Sequence, residues 1–319
     1  MTDEEILEPA WILNTTTPCS FETLPSGVVM RTLTISTHHG GEAVRISHLT
    51  DTHIIYYNET DLTDPIMKAS YDALNGSKNN GWPLSNVAAT VAEATKDTSL
   101  VVVTGDVVAR YSSGALQKTK EYIFDRCDNV LATLGNHDTE RISGNAGDPL
   151  TEEERRALIA KDWCNDITYA SVVLEEKVMV IAMDNGHGFC NEQYPLLSAD
   201  LLSARQNGYV VLLFFHVPLN TGRTEDNNIP PVWGNHENWS FGTASGCVGP
   251  ASQGADGKIY SLIRNNGDII RGIFCGHVHG DFYVEIPAKT ATGEATMIPQ
   301  YIVSPVYSDK GHFLQIIIE

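Results

Sequence analysis

The chain has no apolar run approaching the ~20 residues that cross a bilayer, so no membrane span is expected. It is short of positive charge: 21 Lys and Arg stand against 40 Asp and Glu, a formal net charge of −19. There is no basic stripe, and such a chain repels polyphosphate backbones and anionic surfaces, which excludes nucleic acid as a partner. None of the six cysteines forms a C-x-x-C pair, so a zinc-finger site is not expected. Also missing are a P-loop, a dinucleotide glycine fingerprint and a G-x-S-x-G elbow, which removes the enzyme classes built on them. The acidic start, MTDEEILEPA, lacks the basic and apolar regions of a signal peptide. The expectation is a cytoplasmic protein; the alternative is a secreted one whose signal peptide has been removed. The N-x-S/T sequons at Asn14, Asn58, Asn75 and Asn238 do not settle the point.

What is present is ordinary globular material: 319 residues, 42% apolar and 19% charged, enough for a sizeable core. Cys127 and Cys275 lie in or beside apolar segments and read as reduced core residues, whereas Cys190 and Cys247 lie in loops and are a possible pair. Residues 1–41 read as a peripheral segment packing on the core, with strand character over Gly27–Ser36, and residues 42–319 as the main domain. From Glu42 a short apolar strand, a polar loop and a helix recur. Strands are expected at Val44–Leu49, Leu100–Thr104, Val130–Leu134, Val178–Met183, Tyr209–Phe215 and Ile269–Phe274, with three more towards the end. Helices are expected at Ser85–Thr95, Gly114–Asp125 and Ser198–Gln206, and after the capping box Thr151-x-x-Glu154. Apolar strands alternating with helices give an α/β fold. The longest irregular stretch, Thr221–Gly257, carries Trp233, His236 and Trp239, and loops of that length are usually functional or disordered.

Five expected strands finish on groups able to bind metal or move protons. These are Asp51 and His53; Asp106; Asn136 and His137; His216; and His277 and His279. In α/β sheets the crevice beyond the strand carboxyl ends is where ligands bind. Aspartate, asparagine and histidine supply the oxygen and nitrogen donors that hold Mn, Zn or Fe. Any one motif alone also suits a turn; their ordered recurrence after apolar strands is what points to a site.

The series D-x-H, G-D, G-N-H-D, H and G-H-x-H, running from about Val44 to Asp281, resembles the calcineurin-like metallophosphoesterase family. The resemblance implies a four-layer α/β/β/α sandwich of two mixed sheets with two divalent metal ions at one edge. Asp51, His53 and His279 would hold one ion, Asn136, His216 and His277 the other, and Asp106 would bridge them. Two such ions hold a bridging hydroxide as nucleophile and clamp a phosphoryl group for in-line attack. The ions, the two carboxylates and the hydroxide together carry about +1, so phosphate is attracted despite the acidic chain. His137 would give a proton to the leaving group or stabilise it, or else serve only as a supporting hydrogen bonder. Asp138 either orients a ligand or caps the loop.

The sequence departs from the family at one telling position. Where calcineurin-type protein phosphatases carry an Asp that orients the catalytic His, this chain has Ala109, and no metal-binding Tyr replaces it. A Tyr-bound ferric ion is therefore not expected. His216-Val217-Pro218-Leu219, with the other motifs, places the chain nearest to the smaller intracellular phosphatases grouped with purple acid phosphatases. Arg110 stands where protein phosphatases contact phosphate, or is simply a surface residue. His187 either lines the site or forms a turn. Trp233, His236 and Trp239 either wall the substrate or pack their loop. His38, His39, His48 and His312 read as structural or surface groups. The leading functional expectation is a phosphomonoesterase acting on a small phosphate ester. The alternatives are a phosphodiesterase for nucleotide or lipid head-group diesters and a non-catalytic scaffold of the same fold, like the retromer subunit.

Overall fold

A computed structural model describes residues 19–37, 40–140, 150–224, 226, 247–308 and 310–319. Two six-stranded sheets dominate it. The first runs β1-β2-β12-β3-β4-β5. Its strands are β1 (Cys19–Thr23), β2 (Val29–Ile35), β3 (Val44–Leu49), β4 (Leu100–Thr104), β5 (Val130–Thr133) and β12 (His312–Ile318). The second runs β10-β11-β9-β8-β7-β6. It contains β6 (Tyr169–Leu174), β7 (Val178–Met183), β8 (Val210–Phe214), β9 (Ile270–Cys275), β10 (Phe282–Lys289) and β11 (Ala295–Ile302).

The period of two in β4 shows why the strands stack as they do. Val102 faces the other sheet, beside Ile46, Val180, Phe214, Phe274 and Leu314. Val101 and Val103 face the opposite way, onto helices α3 (Leu84–Ala94), α4 (Ser113–Tyr122) and α6 (Glu152–Ile159) through Val91, Leu116 and Ile159. The second sheet repeats the arrangement. Its outer face meets α7 (Gln193–Asn207) and α8 (Gly254–Arg264) through Leu197, Leu201, Ile259 and Ile263. A strand buried on both faces must be apolar at every position, and β4 is buried throughout. Each such Val or Ile contributes roughly 1.5–3 kcal/mol by leaving water. The layers are therefore helix, sheet, sheet, helix.

β3, β4 and β5 are parallel to one another, as are β7, β8 and β9. Parallel strands deliver their carboxyl ends to one edge, and that edge carries every motif noted above. The expected capping box forms, with Thr151 Oγ1 accepting from Glu154 N and Glu154 Oε2 accepting from Thr151 N.

The structure adds what the pattern missed. β1 and β6 expose most of one or both faces and so lack a continuous apolar signal. α7 begins five residues before the expected Ser198. α8 begins inside the glycine-rich stretch that reads as loop. Of the segment 1–41, the described part forms β1 and β2 at the edge of the first sheet, with Leu33 buried between the sheets. Cys190 and Cys247 are both free thiols, so the possible pairing is not formed. Cys275 is buried and Cys127 half-buried, as core residues. Among the described residues no helix is long and apolar enough to cross a membrane.

Candidate metal centre

The loop after β3 is tied to the loop after β4. Asp51 N donates to Gly105 O and His53 N to Asp106 O, at 3.1 and 2.9 Å. These loops leave the strands by a sharp reversal that puts Asp51, His53 and Asp106 at φ 52°, 44° and 47°. His277 and His279, after β9, have φ 71° and 55°. Left-handed backbone costs a non-glycine residue about 1–3 kcal/mol and persists where the surroundings over-determine it. Its concentration at candidate donors marks a built site.

The loops also approach one another more closely than a side chain would permit. A Cβ on Gly135 would lie 2.3 Å from Asp106 Oδ1, and one on Gly276 1.8 Å from Thr50 Oγ1 and 2.2 Å from Asp51 Oδ2. Only glycine fits either place.

Asp51, His53, Asp106 and His279 bring one donor atom each within 4.8 Å of the others, and Asp106, His216 and His277 do the same. Asp106 belongs to both groups. Its Oδ2 lies 3.1 Å from His216 Nε2 and 3.7 Å from His53 Nε2, while Oδ1 accepts from His137 N at 2.8 Å. In the outer group, Asp51 Oδ1 faces His279 Nε2 at 3.2 Å and His53 Nε2 at 3.6 Å. In the inner group, His277 Nδ1 lies 3.2 Å from His216 Nε2.

Two ring orientations are fixed from behind. His216 Nδ1 meets the carbonyl of Thr104 at 2.8 Å, which can only accept, so Nδ1 carries a proton and Nε2 is the nitrogen turned inward. His279 Nδ1 meets the hydroxyl of Tyr307 at 2.8 Å, and the same arrangement turns its Nε2 inward. Tyr307 is a site residue that sequence reading missed: it lies in the loop before β12, where no strand ends in a polar motif.

Do these residues suit metal ions? Asp51 Oδ1 and Asn136 Oδ1 are buried side-chain oxygens without a hydrogen-bond partner, a costly condition unless something else satisfies them. Charge points the same way. Asp51 and Asp106 are both deeply buried, which is the largest single influence and would push their carboxyls up; the surrounding histidines, His216 foremost, together outweigh it and draw both below the usual carboxylate range. Burial would lower His216, yet Asp106 and Asp51 push it up to about 10. Burial and the charge at His216 bring His277 down to about 3. A pocket that holds a proton so firmly is one that demands positive charge, and its oxygen and nitrogen donors fit divalent transition metals.

His137 follows Asn136 in the short helix α5 (Asn136–Thr139), its ring edge-on to His53 at 4.9 Å between centroids. Burial lowers its pKa. Its Nδ1 lies 2.5 Å from Arg110 Nη1 and 3.2 Å from the carbonyl of Ala109. Arg110 is braced by Glu140 at 2.8 Å, and Glu140 Oε2 in turn accepts from Asn136 Nδ2 at 3.4 Å. Position 109 thus places a backbone oxygen beside His137 where the family carries a carboxylate, and that oxygen accepts from Arg110 Nη1 at 2.9 Å. Asp138 is fully buried and accepts from Val108 N and Gly135 N at 2.9 and 2.7 Å, joining the loops after β4 and β5. Burial and the neighbouring Asp106 push its carboxyl up to about 8, against those two N–H groups.

The remaining candidates separate. His187 lines a different cavity of about 600 Å³, with Arg156, Asp184 and Cys190 among its walls. Trp233, His236 and Trp239 lie outside the described residues, as do His38 and His39. His48 is wholly buried between the sheets, against Phe214 and Phe274.

The calcineurin-like phosphoesterase family matches residues 44–281, which span all the motifs. The chain belongs to the calcineurin-like phosphoesterase family. Its two-sheet sandwich is the α/β metallophosphoesterase fold, and the family is one of metal-dependent phosphoesterases. Among solved structures it is similar to a dimetal phosphatase from Danio rerio, at 13% identity and a TM-score of 0.46, over 83% of this chain and 88% of that one. No curated protein matches its sequence significantly.

Proposed function

We propose that this calcineurin-like phosphoesterase is a phosphomonoesterase. Asp51, His53 and His279 would hold one divalent ion, Asn136, His216 and His277 a second, and Asp106 would serve both. The observation that carries the reading is the convergence of two donor groups on the shared carboxylate of Asp106, with His137 seated beside them. When bound, two divalent ions activate water and offset the charge of a phosphoryl group. The protein residues do the rest. Arg110 donates to His137 Nδ1, which puts the ring proton on Nε2, the nitrogen left to donate to the leaving oxygen. Arg110 has further N–H groups for a phosphate oxygen, and Glu140 keeps it in place. Retention of His137 favours an enzyme over a scaffold of the same fold.

The reading is tested by assaying a phosphomonoester and a phosphodiester side by side on metal-loaded protein. His137→Ala should lower kcat for the monoester by ~10²–10⁴. Equal rates in wild type and His137→Ala would overturn the role of His137. A clear preference for the diester would move the assignment to a phosphodiesterase.

A further inference from the structure

Large apolar side chains seldom stand in water beside a charged centre, yet Trp82 does. It is 39% exposed. Its backbone is fastened to the donor loop: Ile55 N donates to Trp82 O and Gly81 N to Ile55 O, both at 2.7 Å, and Ile55 is two residues beyond His53. Its ring rests on Tyr307 with centroids 5.3 Å apart and planes tilted 48°. The Tyr307 ring stands edge-on to both His53 and His279 at 5.1 Å. The loop carrying Tyr307 is itself pinned, with Tyr307 N donating to Asp51 O at 3.3 Å and Asn86 Nδ2 to Tyr307 O at 3.3 Å. A continuous series of rings therefore leads from the outer donor group to solvent, and its last member is an indole on a fixed backbone.

We propose that Trp82, backed by Tyr307, is a stacking platform for the leaving group, and that the substrate is a phosphomonoester of a planar aromatic alcohol or of a nucleoside. This deepens the phosphomonoesterase reading and rests on it. The physical case is that Trp82 stands one ring beyond Tyr307, which itself meets His53 and His279, so a leaving group that extends from the donors along these rings reaches the indole. An indole face offers a flat substituent both area and quadrupole attraction, while an alkyl chain receives only area. The backbone is fastened by the bonds at Ile55 and the ring rests on Tyr307, so less freedom is lost when a ligand stacks on it.

The test compares phenyl phosphate, a nucleoside monophosphate and butyl phosphate on wild type, Trp82→Ala and Trp82→Phe. Trp82→Ala should raise KM for at least one aromatic substrate by about tenfold and leave kcat within about twofold. KM for butyl phosphate should move less than about twofold, and Trp82→Phe should recover most of the loss. Which of the two aromatic substrates responds identifies the source of the ring. An equal loss on aromatic and alkyl esters, or no loss on either, would overturn the platform. A second readout is independent of turnover. Phenylphosphonate should quench tryptophan fluorescence in wild type more than in Trp82→Phe, and butylphosphonate should not. Quenching by phenylphosphonate without hydrolysis of any ester would keep the platform and sink the phosphomonoesterase. Hydrolysis without that difference in quenching would do the reverse.

Discussion

The two halves of the candidate metal centre are backed by different groups. The inner half, around His216 and His277, is backed by a strand carbonyl, and His216 is inaccessible to water. The outer half, around His53 and His279, is backed by a phenol and by rings that reach the surface. Both halves draw on both sheets, since β9 supplies a histidine to each. The inner half thus leans on the sheet backbone, and the outer half on side chains that reach solvent.

Asp106 is where the contrast should vanish, because it belongs to both halves. Asp106→Ala is expected to abolish activity and to reduce bound metal at both positions, read by elemental analysis; loss of only one ion would break the bridging assignment. His216→Ala and His279→Ala should then differ in kind. Each should lower metal content, but His216→Ala also leaves buried polar groups unpaired, at about 1–3 kcal/mol each, in urea unfolding. His279→Ala should cost clearly less stability, since its Nδ1 meets a half-buried phenol rather than a strand carbonyl; equal costs would show that the backing does not distinguish the halves. Tyr307→Phe removes the partner of His279 Nδ1 and should weaken metal binding at the outer half by ~10–100-fold, with the inner half little changed. The smallest effect concerns His48, behind the inner half. Burial brings it down to about 3, against an ordinary value of 6.5. Between those values the unfolded chain takes up the proton first, so acidification through this window costs stability. Wild type should lose about 2 kcal/mol at this residue between pH 7 and pH 5, and His48→Gln should not. Parallel pH profiles of the two proteins would refute the neutral burial of His48.

The inner half was almost wholly legible in the sequence, the outer half less so. His216 and His277 follow runs of apolar residues that can only be central strands, and a polar group at the end of such a run announces itself. His53 and His279 were found by the same rule. Their supports were not. Tyr307 comes from a loop with no periodicity, and Trp82 lies before a helix whose apolar stripe begins after it. Ala109 could be recognised as a departure, but not that its own carbonyl would face His137. Backbone groups have no letter in a sequence. β1 and β6 escaped because half-exposed edge strands lack the unbroken apolar pattern that identified β4.

The contact of Gly135 with Asp106, and of Gly276 with Thr50 and Asp51, has a consequence for how such a protein can change over generations. Each glycine is fitted to a residue of another motif, far away in the chain. A substitution acceptable to its own loop is judged by a neighbouring one, so the motifs cannot drift singly. Their routes of variation are interlocked.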